Sequence, residues 1–166
     1  GGLFVSNNAG GTWSPVSVGN LENLIVSSLT QAPDGSIWMG TGSDFDFSAN
    51  QEGILFPGNG LYKSTDGGAS FTRIVGPNLP NNPSDSTIDP ISNTREWVSI
   101  NRIAFKPGNS NEIYVAMNKG LRVSNDGGQT WINPLYSSYS TCNGTLQVVR
   151  GEDLDVTPDG RLFVSM

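Results

Sequence analysis

Apolar residues in this chain come in short runs that alternate with polar positions and are cut off by Gly, Pro, Asn and Asp. Nowhere does an apolar period of 3.6 residues persist over a helix-length window, so the pattern predicts strands joined by turns and an all-β fold. Three runs are copies of one another: Leu3-Phe4-Val5, Leu61-Tyr62-Lys63 and Leu121-Arg122-Val123 each follow a Gly and lead into the same turn. That turn is marked by Ser6, Asn8, Gly10 and Trp13 in the first copy. Ser64, Asp66, Gly68 and Phe71 mark the second, and Ser124, Asp126, Gly128 and Trp131 the third.

The residue types suit a tight hairpin. Asn-Gly and Asp-Gly type sequences tolerate positive φ, the Asp or Asn side chain can bond backbone amides inside the turn, and the aromatic seven residues after the Ser can pack back over it. A second kind of turn alternates with the first, at Pro33-Asp34-Gly35, Pro107-Gly108-Asn109 and Pro158-Asp159-Gly160. Together they divide the chain into units of up to four strands: the end of one over 3–16, full units over 24–75 and 97–133, and the start of another over 153–166. Within the third unit, strands are expected over Trp97–Phe105, Glu112–Met117, Gly120–Ser124 and Thr130–Asn133.

The Ser-x-Asp-x-Gly-x-x-aromatic stretches resemble the Asp-box, or BNR repeat, of sialidases, sortilin-like receptors, xyloglucanases and many secreted bacterial proteins. The resemblance implies a β-propeller of four-stranded antiparallel blades, in which the box is a structural turn remote from the ligand, and an extracellular or cell-surface location. About three blades' worth are present, whereas propellers have about four to eight. The expectation is therefore a part of a larger propeller, with the rest of the parent chain as partner. The alternative is that two copies close a six-bladed ring.

In a four-stranded meander the first and third turns share one edge. Both turn types stay short, and the length variation falls on the connections of the other edge: 17–23, 43–59, 76–96 and 134–149. Surface connections carry binding groups on rigid scaffolds, so a ligand is expected there. The insertion holds Asp44, Phe45, Asp46, Phe47 and Glu52, acids beside aromatics, which suits a glycan whose hydroxyls need carboxylates and whose C–H faces stack on rings. The same residues equally suit a loop pinned by its Phe side chains. Asp44 and Asp46 also offer hard oxygens to calcium, without the remaining ligands of a recognised calcium loop. Arg95 and Glu96 reach the same rim together or form a solvated ion pair.

Candidate catalysis is harder to place. A glycosidase needs two carboxyl groups across the scissile bond, and Asp85, Asp89, Glu96, Glu152, Asp153 and Asp155 are the further acids. With no His and a single Cys, Cys142, histidine triads and ordinary zinc sites cannot be completed from this sequence. The arginines stand in no context that matches the sialidase triad. The second blade, with Gly-Thr-Gly, a long insertion and Gly-Leu-Tyr-Lys-Ser-Thr-Asp-Gly-Gly, is more similar to xyloglucanases, although their Gly-rich segment presenting a catalytic Asp is not found.

The expectation is thus a binding scaffold for glycan or protein, with part of a glycoside hydrolase supplying subsites as the alternative. The formal charge of −6 without a basic cluster argues against nucleic acid, and no apolar run is long enough to cross a membrane. Asn143-Gly144-Thr145 matches an N-glycosylation acceptor, and Asp85-Ser86-Thr87 resembles the O-glycosylation acceptor of Bacteroidetes surface proteins, which makes Asn143 and Ser86 modification candidates.

Overall fold

The computed structural model describes residues 2–16, 25–43, 58–77, 96–135, 140–142, 145–147 and 150–166. Among them there are strands and turns and no helix. Strands β3 (Val26–Gln31), β4 (Ile37–Thr41), β5 (Leu61–Ser64) and β6 (Thr72–Val75) form one antiparallel four-stranded meander in sequence order. The next sheet has β7 (Ile100–Lys106), β8 (Asn109–Met117) and β9 (Gly120–Ser124). Three two-stranded hairpins complete the set: β1 (Phe4–Val5) with β2 (Ser14–Pro15), β10 (Ser140–Cys142) with β11 (Thr145–Gln147), and β12 (Asp153–Val156) with β13 (Leu162–Ser165).

Two strand expectations in the third unit are corrected. Its first strand starts at Ile100 rather than Trp97, because Trp97 adopts φ 65° and turns the chain before the ladder begins. Its fourth strand shrinks from Thr130–Asn133 to a single bridge between Val123 and Ile132. Pro134 follows with no N–H to extend the ladder, and the Asn133 side chain accepts the Leu135 amide at 3.0 Å instead.

The sheets pack face to face through their alternating apolar residues. Trp38, Leu61 and Val75 of one sheet meet Ile100, Ile103, Ile113, Val115 and Met117 of the next in one buried cluster. Tyr114, Ala116 and Leu121 then meet Leu154 of the last hairpin in a second. Inner strands β3, β7 and β12 lie side by side. The approach of β4 to β7 depends on Gly40, where a Cβ would fall 2.4 Å from Ile100.

The three repeated turns have one geometry. Ser64 Oγ donates to Asp66 Oδ1 at 2.8 Å and accepts the Gly68 amide at 2.9 Å, while Asp66 accepts the Ser70 amide at 2.9 Å and its hydroxyl at 2.5 Å. Ser124, Asp126, Gly128 and Thr130 repeat these bonds. In the first copy Asn8 takes the place of Asp: its Oδ1 accepts the Thr12 amide at 2.8 Å, and its amide donates to the Thr12 hydroxyl at 3.0 Å. The aromatics differ in burial. Phe71 and Trp131 are half-buried and Trp13 is 62% exposed; Trp131 packs against the buried cluster between the sheets.

These bonds hold the Asp66 and Asp126 carboxyls down to about 2, with the Ser70 and Thr130 hydroxyls as the largest causes. A carboxyl held low in the folded chain adds stability above the ordinary carboxylate range, and that stability is lost as pH falls through the folded value. Melting temperature should therefore drop between about pH 4 and about pH 2. Replacing both residues (Asp66→Asn with Asp126→Asn) should flatten that drop, since Asn8 makes the equivalent bonds without titrating. Circular-dichroism melts across the pH range check this; equal slopes for both chains would refute it.

Candidate ligand faces

Each complete sheet presents two edges of different character. The edge carrying the first and third turns is tied together by short polar bonds. Asp34 accepts the Ser36 amide and hydroxyl and pairs with Lys63 at 3.8 Å, and its own amide donates to Ser110 of the next sheet at 2.8 Å. Lys63 also lies 5.2 Å above the Trp38 ring. On the same edge Gly127 of the third repeated turn donates to the Asn111 carbonyl at 3.0 Å.

A shallow open groove of about 310 Å³ lies on this edge where the inner strands end. Gln31, Pro33, Phe105, Lys106, Pro107 and Asp155 are among the residues that line it. No sequence signal marks a site there, although the Pro turns that rim it are plain in the sequence. Its charged groups are already engaged: Lys106 pairs with Glu112 at 2.8 Å, and Asp155 accepts the Val156 amide at 2.9 Å.

The opposite edge carries the second turns and the links between sheets, and beneath it lies a buried polar lattice. Thr41 Oγ1 donates to the Gly60 carbonyl at 2.8 Å and accepts the Asn59 amide at 2.9 Å, while Asn59 Oδ1 accepts Arg73. Gly58 donates to the Val98 carbonyl at 2.7 Å, and Ser27 Oγ to that of Ile100 at 2.6 Å, joining one sheet to the next. Asn101 donates to the Gly151 carbonyl at 2.7 Å, continuing the joint to the last hairpin.

Glu96 belongs to this lattice. It is 6% exposed, and its carboxylate pairs with Arg122, itself 6% exposed, so the picture of a rim residue or solvated pair is corrected. Arg122 also donates to the carbonyls of Lys119 and Leu121 at 3.1 and 3.0 Å, whereas Glu96 Oε2 is buried without a hydrogen-bond partner among the described residues. The neighbouring Trp97 ring stands edge-on to Trp131 at 4.9 Å, which clamps the turn that takes Glu96 inward. Nothing in the sequence marks Arg122 as buried, since a cation inside an alternating strand reads as solvent-facing; the apolar Tyr62 at the equivalent place in the preceding repeat, also buried, is the one hint.

The remaining candidates, Asp44, Phe45, Asp46, Phe47, Glu52 and Arg95, with Ser86 and Asn143, lie outside the described residues. Among the described residues no three His, Cys, Asp or Glu side chains gather as a metal ion would require.

No protein-family model matches the sequence, and no curated protein does. Solved structures match in shape. Over 98% of its length the chain superposes on 19% of an ancestral GH74 enzyme, with a TM-score of 0.61 and 20% identity. The fold is that of a β-propeller. A GH74 xyloglucanase from Xanthomonas campestris is also similar, with a TM-score of 0.48 and 19% identity over 82% of this chain and 17% of that one. This chain thus spans about a fifth of the length of either solved relative.

Proposed function

We propose that the chain is a propeller scaffold that binds a glycan on its second-turn edge, in an extracellular or cell-surface setting. The observation that carries this is the contrast between the edges. First-turn and repeated-turn side chains spend their polar groups on their own backbone, while the other edge is braced from below by the Thr41–Asn59 and Glu96–Arg122 lattice. That bracing gives the variable connections 43–59 and 76–96 a rigid base.

Phe45 and Phe47 are assigned as stacking groups and Asp44, Asp46 and Glu52 as partners for hydroxyls. Replacing Phe45 or Phe47 by Ala should weaken saccharide binding by about 1 to 2 kcal/mol, with little change in melting temperature. Calorimetric titration with xyloglucan oligosaccharides measures it. No binding by the unaltered chain would overturn the glycan assignment and leave a protein ligand as the reading to pursue.

A second reading is favoured by the shape likeness to an ancestral GH74 enzyme: the chain supplies subsites of a glycoside hydrolase. Release of reducing ends from the same oligosaccharides would decide for it.

A further inference from the structure

We propose that Asn59–Gly60 is a modification site, a latent deamidation centre that the Arg73 and Thr41 side chains keep unreactive for as long as the joint between the sheets is closed. Asn is followed by Gly twice in the sequence, at 59–60 and 143–144, and the first pair lies among the described residues. A Gly after the Asn favours the reaction, because no side chain shields its backbone nitrogen.

The chemistry is a ring closure followed by hydrolysis, and it needs only water. The Gly60 nitrogen gives up its proton and attacks Asn59 Cγ. A C–N bond forms, the bond from Cγ to the side-chain nitrogen breaks, and ammonia leaves with the proton. Water then opens the cyclic imide at one of its two carbonyls, giving an aspartyl residue or, with the main chain rerouted through Cβ and Cγ, an isoaspartyl one. The nucleophile is uncommitted, since the Gly60 amide donates to no acceptor among the described residues. Asn59 itself is half-buried, so water reaches it.

The electrophile, by contrast, is held. Asn59 Oδ1 accepts from Arg73, which fixes the side-chain carbonyl, and the Asn59 amide donates to Thr41 Oγ1 at 2.9 Å. The same buried hydroxyl donates to the Gly60 carbonyl at 2.8 Å, so one Thr pins the backbone on both sides of the reacting peptide. Gly60 is hemmed in as well: at its φ of 102°, a Cβ would fall 2.1 Å from the Val75 carbonyl oxygen and 2.6 Å from Gly76 Cα. Ring closure must rotate the Asn59 side chain and twist its peptide to Gly60, so it waits for the joint to open. The rate is then that of the free chain multiplied by the fraction of time spent open. Arg73 is the larger part of the lock, because a charge-assisted hydrogen bond outweighs a neutral one.

The isoaspartyl product cannot close the joint again. It adds one atom to the main chain before Gly60, where Gly76 already stands so near that a Cβ on it would fall 2.5 Å from the Asn59 carbonyl oxygen. Modification thus makes a reversible opening permanent, at the foot of the connection 43–59.

The test incubates the chain at mildly alkaline pH and follows amide-to-acid conversion at residue 59 by fragment mass spectrometry, with enzymatic methylation to count isoaspartate. The folded chain should react at least about tenfold more slowly than the same chain unfolded in guanidinium chloride. Arg73→Leu should recover about tenfold or more of that rate, whereas Arg73→Lys, which keeps a charged donor, should stay slow. Circular dichroism checks that each variant folds; should Arg73→Leu not fold, Thr41→Val, which removes the backbone pin, should accelerate the reaction in its place. Equal rates in the folded and unfolded chains, no conversion at residue 59 in either, a folded Arg73→Leu or Thr41→Val chain no faster than the unaltered one, or an Arg73→Lys chain as fast as Arg73→Leu would each overturn the proposal.

Discussion

Replacing Arg122 by Ala should cost about 3 to 5 kcal/mol of stability, more than removing any surface charge of this chain. Arg122 and Glu96 are both nearly sealed from water, and Arg122 is the only hydrogen-bonding partner of the Glu96 carboxylate seen among the described residues. Without the guanidinium, a charge stays buried with nothing to replace its hydration, and the Lys119 and Leu121 carbonyls lose their donor. The double replacement Glu96→Met with Arg122→Met should be much milder, since no charge is stranded and the volume is kept. Urea unfolding of the three chains measures both effects. A loss in the double variant equal to that of Arg122→Ala would show that packing, not the stranded charge, sets the cost.

Gly42→Ala should be the other severe change, at about 3 kcal/mol or more. Gly42 has φ 92°, and a Cβ there would fall 2.0 Å from the Val98 carbonyl oxygen and 2.7 Å from the Gly58 nitrogen. Both contacts are backbone and belong to the joint between sheets, so neither can swing aside. Gly35→Ala is the matched control: its φ is 85° with nothing within 4 Å of the added carbon, leaving only the conformational cost of about 1 to 2 kcal/mol. Thermal melts should rank the two accordingly, and similar losses would mean that the Val98 contact relaxes freely.

Much of the architecture was legible because its signals are local. The Ser, Asp or Asn, and Gly positions of the three repeated turns specify their hydrogen bonds within eight residues, and those bonds are present in every copy. Alternation in Ile37–Thr41 and Glu112–Met117 separates the two packed faces in the same way. What could not be read depends on partners distant in sequence. Glu96 and Arg122 lie 26 residues apart with no local signal joining them, and only the packing of one sheet's outer strand against the preceding link brings them together. The half-burial of Trp131 likewise depends on Trp97 and a neighbouring sheet, whereas Trp13 has the same local sequence and stays exposed. The groove at the ends of β3, β7 and β12 arises from three segments whose individual residues carry no binding signature.

The self-contained bonding of the repeated turns also bears on how the chain acquires its structure. Each turn satisfies its own backbone from side chains no more than four residues away, so it can form before any sheet exists, on the microsecond scale of an isolated hairpin. Sheets in sequence order then need contacts only with their immediate neighbours, as in repeat proteins, where structure spreads from unit to unit. The slow event is left to the buried joint, where Glu96 must find Arg122 after both surrounding sheets are in place. Folding should therefore show early protection of the Gly68 and Gly128 amides against hydrogen exchange and late protection of the Gly58 amide.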